Sequence, residues 1–538
     1  MVSGEEHADV VIIGSGFGGA VAACRLAPTG RRVVVLERGR DWSGPKTPQR
    51  VRDYIYSSRM PHLLNGWLDL RVLDQMVVAT GAGVGGGSLI YANVCVNAPD
   101  RVFESGWPSQ ITADEMKHYY CEVAKVLKPQ RIPEGQVNPR MAMLENAAAE
   151  LDVSRRYRRL PLAVTFDETA SDRGGEPWRD PTAYKEGTCV YCGNCVIGCE
   201  HGAKKTLDKN YLADVTKYDT VISPLSMVTH IEEGPDGAWR VHYLKVDEDR
   251  RSRKRQIVGK IVILAAGSIG STEILLRSRD GFRTLKNLPR ALGKGWSPNG
   301  DFLTLAQYKN PDMPLLQPTK GPTIGAVIDY LDGVDLPDDN AIGVDGRHYI
   351  EDGGLPNLGA HVLKSWEDKR GPKRWAYRKA SSLTDFSDMV PWFGPSIDAA
   401  DGEFSLQNRY KFWRARTRLN WNPQRSVSAL DTFKDLHVAM TIATGGKPIP
   451  LATWSRFRML ITPHPLGGCN MAAAAGAGVT NHMGEVFGYD NLFVIDRSVI
   501  PRAIGRNPSK TIAAVAERSC EKLLMELPRR IDGATALV

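Results

Sequence analysis

Short apolar runs followed by small-residue turns recur at the start, the middle and the end of the chain, and a looser pattern fills the intervals. Val10 to Ile13 is an apolar run of buried-strand length, and Gly14, Gly16 and Gly19 lead from it into a helix carrying Val21, Ala22 and Leu26. A second strand, Arg32 to Leu36, ends in Glu37. Residues 40 to 75 have no regular period, and residues 100 to 160 read as polar helices broken near Lys128 to Pro139. Strand patterning resumes over Trp239 to Val246 and Ile257 to Leu264. The second run closes on Ala265-Ala266-Gly267-Ser268 and a helix from about Ile269 to Arg277. From 300 to 460, prolines, aromatics and alternating pieces predict a mainly antiparallel sheet facing a substrate. The tail returns to strand (Leu492 to Ile495), loop (Asp496 to Asn507) and helix (Pro508 to about Leu524), with Pro508 in the permitted first turn. Nothing repeats at a period of about 20–50 residues.

The first run has a specific physical reading. In G-x-G-x-x-G after a strand, Gly14 permits the tight turn, Gly16 lets backbone N–H groups approach a pyrophosphate, and Gly19 lets the helix press on the sheet. Glu37 stands about 20 residues on, where a carboxylate receives a ribose 2′-OH, so a 2′-phosphorylated dinucleotide is disfavoured. The fingerprint does not separate FAD from NAD. A second glycine cluster, Thr80 to Ser88, runs into Leu89-Ile90-Tyr91-Ala92-Asn93-Val94. Apolar residues on both sides predict a buried loop with bare backbone against a flat ligand, not a linker.

Composition narrows the class. At 538 residues the chain exceeds one compact core, so two or more domains are expected. A net charge of +8 is modest for that length, and nothing else supports nucleic-acid binding. The basic run Arg250, Arg251, Arg253, Lys254, Arg255 lies between two strands and reads as a solvated hairpin tip. No run of about 18 apolar residues occurs, so no transmembrane helix is expected; membrane-surface contact would be transient. With nine cysteines, four of them bunched, a reducing compartment is indicated and cytoplasm is the expected location.

The G-S-G-F-G-G start, the G-V-G-G-G-S loop, A-A-G-S-I-G-S-T-E-I-L-L, G-W-S-P-N-G, H-P-L-G-G and the N-P before the last helix occur in one order. That order resembles the glucose–methanol–choline (GMC) oxidoreductases, in particular their cholesterol oxidase branch. The resemblance implies an α/β protein: a discontinuous Rossmann-type FAD-binding domain and a substrate domain with a mainly antiparallel sheet covered by helices. On this reading residues 1–100, 205–300 and 460–538 form the FAD-binding domain, 101–204 a cap segment with the cysteine run, and 301–459 the substrate domain. The resemblance implies that Gly14, Gly16, Phe17, Gly18, Gly19 and Glu37 hold the ADP half of FAD. Gly87, Ser88, Tyr91, Ala92, Asn93 and Val94 would line the ribityl chain and ring, with Val228 at the adenine end. Gly267, Asp496 and Arg497 would complete the site, with FAD held covalently or not. His464 and Asn507 are similar to the family's catalytic pair. Imidazole titrates near neutrality and so takes a hydroxyl proton, and a carboxamide orients the oxygen without titrating.

The implied activity is FAD-dependent oxidation of a hydroxyl on a sterol or other bulky apolar alcohol. Electrons would pass to oxygen, or through a cluster to a redox partner protein; a GMC-fold lyase of the hydroxynitrile type is the alternative. The sterol oxidases carry a roof carboxylate that shifts a double bond. No Glu aligns with it here, Asp385 and Asp388 are merely neighbours of that region, and isomerase activity is not expected. Ser509 stands where some oxidases carry Phe. Finally, Cys189, Cys192, Cys195 and Cys199 follow the C-x2-C-x2-C-x3-C spacing of bacterial ferredoxin ligands, with Glu200 in place of the proline. An iron–sulfur cluster, a reduced structural loop and a zinc site are all open. In the cluster reading three thiolates share a face and a fourth ligand comes from elsewhere, Cys121 being a candidate.

Overall fold

The structure is a computed structural model that describes residues 6–43, 48, 51–169, 185–309, 319–331, 348–356, 388–407, 416–449 and 459–533. Its main sheet orders β6 (Thr220–Ser223), β2 (Val33–Leu36), β1 (Glu6–Ile13), β9 (Ser252–Leu264), β8 (Trp239–Val246) and β7 (Ser226–Glu233), with β19 (Leu492–Val494) also on β9. β1, β2, β6, the second half of β9 and β19 run parallel, whereas β7–β8–β9 is an antiparallel meander. All four residues of β2 and the last four of β1 are buried, as a strand covered on both faces requires.

Helix α1 (Phe17–Leu26) packs against the C-terminal helix, named α6 here (Ser509–Asp532). That helix also packs on α2 (Ala113–Leu127). Arg25 in α1 donates to both oxygens of Glu517 in α6, at 2.6 and 2.9 Å. α3 (Pro139–Glu150) follows the expected break, and α4 (Gly267–Leu276) follows β9.

A second sheet of six antiparallel strands runs β17 (Lys447–Ile449), β11 (Phe302–Gln307), β14 (Met389–Gly394), β13 (Tyr349–Asp352), β12 (Ala326–Asp329) and β5 (Tyr157–Arg159). α5 (Val427–Ala443) packs on β11 and β17, so the antiparallel sheet expected over 300–460 is present and gains its edge strand β5 from residues 157–159. Two three-stranded sheets complete the molecule: β10 (Lys294–Trp296) with β15 (Gly402–Gln407) and β16 (Arg416–Asn420), and β18 (Leu460–Thr462) with β4 (Met76–Gly81) and β3 (Leu68–Leu73).

Boundaries shift where turns override pattern. The basic run is only half a hairpin tip: Arg253, Lys254 and Arg255 already pair in β9 opposite Lys245, Leu244 and Tyr243. α6 begins after Pro508 and continues to Asp532 through Pro528, since its buried stripe extends to Ile531. Among the described residues no helix is long and apolar enough to cross a membrane.

Candidate active site

Close backbone contact builds the end of the main sheet where the glycine loops lie. A Cβ on Gly18 would sit 1.7 Å from the Ile495 carbonyl, and one on Gly19 2.0 Å from that of Gly14. Those contacts clamp α1 to the ends of β1 and β19. At Gly16 and Gly87 an added Cβ would meet nothing within 4 Å, which leaves open space along both glycine loops. The loops touch: a Cβ on Gly86 would lie 2.6 Å from Gly16 Cα, and the rings of Phe17 and Tyr91 meet edge-on at 5.6 Å. Glu37 is buried at the end of β2, where it accepts from Ser15 N (3.1 Å), Ser15 Oγ (2.7 Å) and Gly39 N (2.8 Å).

The second loop carries an unusual group. Asn93 is fully buried at φ 69°, and neither its amide nitrogen nor its amide oxygen has a hydrogen-bond partner. An orphaned buried amide costs on the order of 1–3 kcal/mol unless something else meets it. Open space beside two glycine loops and an unmet amide between them are what a bound FAD fits. Ser88 Oγ accepts from Leu207 N at 3.0 Å and donates to Gly85 O at 2.7 Å. Tyr91 donates to Lys205 O at 2.8 Å, and Ser509 Oγ donates to the carbonyl of the buried Val94 at 2.9 Å, tying this loop to α6; Ala92 is half-buried between them. Val228 is buried beside a break in the β7–β8 register.

Asp496 is committed to the protein. One oxygen accepts from Gly267 N (2.8 Å) and Ser271 Oγ (2.5 Å), and the other from Ser498 N (2.7 Å) and Ser498 Oγ (2.5 Å). It thereby joins the start of α4 to the tail. Arg497 donates to Pro463 O at 3.2 Å, one residue before His464.

His464 follows β18, and its ring is aimed by a residue that sequence reasoning missed. Nδ1 lies 2.9 Å from Oδ1 of the fully buried Asp301, whose other oxygen accepts from Thr462 Oγ1 at 2.6 Å. The His464 N–H donates to the same threonine at 2.9 Å. Burial pushes the proton affinity of Asp301 up and the facing imidazole pulls it back, the first effect being larger. Asp301 directly follows the G-W-S-P-N-G motif, so its place was marked although its role was not.

Asn507 is buried, with Nδ2 donating to Glu351 Oε2 at 3.5 Å and Oδ1 unpartnered. Glu351 lies in β13 of the antiparallel sheet. It is fully buried, its Oε1 is unpartnered, and burial raises its pKa well above the ordinary carboxylate value. Of the two earlier neighbours, Asp388 accepts from Gln307 at the far end of β11–β14 (2.8 Å), and Asp385 lies outside the described residues.

The two halves converge through Asn299. Its Nδ2 donates to Arg506 O (2.9 Å) and its Oδ1 accepts from Ile504 N and Gly505 N (2.9 and 3.0 Å), two residues before Asp301 and just before Asn507. Glu351 pairs in register with Phe393, whose ring centroid is 6.0 Å from that of His464. Through Phe393 and Glu351, the imidazole that carries a buried carboxylate on Nδ1 is thus linked to a carboxamide whose oxygen is unmet.

The cysteine run also gathers. Cys189, Cys192, Cys195 and Cys199 all line one cavity, whereas Cys121 is exposed on α2 and does not reach it.

Comparison with known proteins gives concordant matches. The GMC oxidoreductase family models match residues 8–292 and 417–516. A cholesterol oxidase of Acinetobacter baumannii is 28% identical over 95% of this chain and 93% of its own length. One of Mycobacterium tuberculosis is 29% identical over 95% and 90%. A long-chain-alcohol oxidase of Arabidopsis thaliana is 23% identical over 94% of this chain and 65% of its own. Among solved structures, a pyridoxine 4-oxidase from Mesorbium loti superposes with a TM-score of 0.63 at 16% identity, covering 96% of this chain and 99% of that one.

Proposed function

Because the chain belongs to the GMC oxidoreductase family, we propose that it oxidises the hydroxyl of a sterol or another bulky apolar alcohol to the carbonyl. It is an FAD-dependent alcohol oxidoreductase acting on CH–OH donors. Bound FAD supplies a two-electron acceptor to which the carbinol hydrogen passes as hydride. Every other task falls to side chains of this chain.

His464 takes the hydroxyl proton. Asp301 fixes Nδ1 as the protonated nitrogen, which leaves Nε2 with its lone pair for the substrate. The buried carboxylate also stabilises the imidazolium that forms, the part such a residue plays in a catalytic triad. Asn507 holds the substrate oxygen by its amide, which carries no charge to titrate. Gly16, Phe17, Gly18 and Glu37 hold the adenosine half, and Gly87, Tyr91, Asn93 and Val94 line the ring.

The observation that carries this reading is the Asp301–His464 pair converging with Asn507 through Asn299. His464→Asn tests it. The variant should keep its yellow colour and lose roughly 10²- to 10⁴-fold in turnover, the usual worth of a general base. Anaerobic addition of a sterol or long-chain alcohol should bleach the wild-type flavin; unchanged colour with substrate cleavage would instead mark the lyase.

A second reading concerns the double bond. Glu351, buried in the roof beside Asn507, has one free oxygen and a raised proton affinity. For an alcohol with an alkene one carbon removed from the new carbonyl, it is the group placed to move a proton between carbons into conjugation.

A further inference from the structure

The alcohol chemistry leaves four cysteines without a task, and they surround a cavity. Cys189, Cys192, Cys195 and Cys199 line a small cavity of about 20 Å3, which Val164 and Ala203 also border. From this arrangement we propose that the four cysteines ligate an iron–sulfur cluster.

Three observations carry the assignment. First, the spacing C-x2-C-x2-C-x3-C is that of cluster ligands in bacterial ferredoxins, and here all four side chains face one void. Second, the loop turns tightly between the cysteines. Tyr191 (φ 56°), Gly193 (φ 75°) and Gly198 (φ 120°) turn the chain between the cysteines, and a Cβ on Gly193 would lie 2.0 Å from Thr319 O. Backbone N–H groups point back at sulfur: Tyr191 N donates to Cys189 Sγ at 3.4 Å, and the Asn194 amide to Cys192. Hydrogen bonds to the sulfurs are one of the means by which proteins set a cluster's potential.

Third, the four sulfurs are not gathered as a preformed zinc site would gather them. All nine cysteines are free, so the run forms no disulfide. A tetrahedral zinc with bonds of about 2.3 Å would draw its four sulfurs to about 3.8 Å from one another. Among the described residues, the group of three or more His, Cys, Asp or Glu ligand atoms within 4.8 Å of one another is His230, Glu232 and His242, not the cysteines. Thiolates on separate irons stand further apart, around a void.

Location gives the site a use. Lys204 Nζ donates to Cys195 O (2.5 Å) and also to Leu89 O (2.8 Å) and Tyr91 O (3.0 Å), so one side chain joins the cysteine loop to the glycine-rich loop read as the flavin cradle. The flavin reading supplies only this neighbourhood; the ligand set stands on the cysteines themselves.

The test uses the full chain purified without oxygen, with iron, acid-labile sulfide, zinc and flavin measured on one sample. Iron and sulfide should appear in matching amounts, about four of each per chain, with an electron paramagnetic resonance signal that changes on dithionite reduction. Cys192→Ser should lose most of the iron and sulfide at unchanged flavin per chain, and Cys121→Ser should lose neither. Flavin-loaded wild-type protein with negligible iron, or with one zinc per chain, overturns the proposal, as does a Cys192→Ser protein with undiminished iron. Alcohol-dependent flavin bleaching is read separately, so failure of the cluster and failure of the alcohol reading are distinguishable.

Discussion

Asp301 meets His464 at Nδ1, and the two are 163 residues apart in sequence. Replacing Asp301 with Asn keeps the shape of the contact but makes its partner able to donate, so the imidazole no longer needs its proton on Nδ1. We expect Asp301→Asn to lower kcat on the order of 10²- to 10⁴-fold, with flavin content unchanged and KM little altered. Stopped-flow flavin reduction measures the loss directly. Glu351 gives a second residue-scale prediction, with a sign. Its raised pKa means that the folded state holds a proton that the unfolded chain releases above the ordinary carboxylate range. Stability therefore falls as pH rises through that window. Glu351→Gln should flatten this fall, so urea midpoints from about pH 5 to about pH 8 should decline less in the variant than in the wild type. Given a sterol with a suitably placed alkene, the same variant should release the unconjugated ketone, lacking the ultraviolet band of the enone. His464 and Asn507 could be named as candidates because each sits in a short motif. Asp301 and Glu351 were not, because their meaning lies in contacts across the fold, Glu351 reaching a partner 156 residues away.

At the scale of elements, most of the main sheet could be read from the chain. A buried parallel strand is a continuous apolar run, and β1, β2 and the end of β9 show it plainly. The antiparallel sheet was harder, since its strands are short and β5 comes from a segment read as helical. The four-residue strands β12 and β13 are buried throughout, which hides the alternation that marks a half-exposed strand. The glycine junctions make the most testable claim at this scale. Gly18 adopts an ordinary helical conformation, yet a Cβ would overlap the Ile495 carbonyl at 1.7 Å. Since that atom is backbone, α1 must move away from β19. Gly18→Ala should cost about 1–3 kcal/mol or more in chemical denaturation, as overpacking does, and should purify with flavin depleted. A variant as stable and as yellow as the wild type would show the junction to be looser than drawn.

Across the whole molecule, the site is divided between segments that meet only after folding. β18 delivers His464, the turn before β11 delivers Asp301, β13 delivers Glu351, and the approach to α6 delivers Asn507. Asn299 is the fastener between two of them. It is fully buried at φ 59°, and its one side chain makes three hydrogen bonds to the backbone of residues 504–506. Those side-chain bonds all go to backbone, so we propose that it sets the spacing between His464 and Asn507. Asn299→Ala should therefore leave KM and bound flavin near wild-type values while kcat falls by about tenfold or more, since small misplacements cost rate steeply. Asn299→Asp retains the acceptor for Ile504 and Gly505 but loses the donor to Arg506, so it should fall between the two. A graded series in flavin-reduction rate at constant flavin content identifies a positioning residue. Equal losses of flavin, stability and rate would mark Asn299 as a general support of the fold.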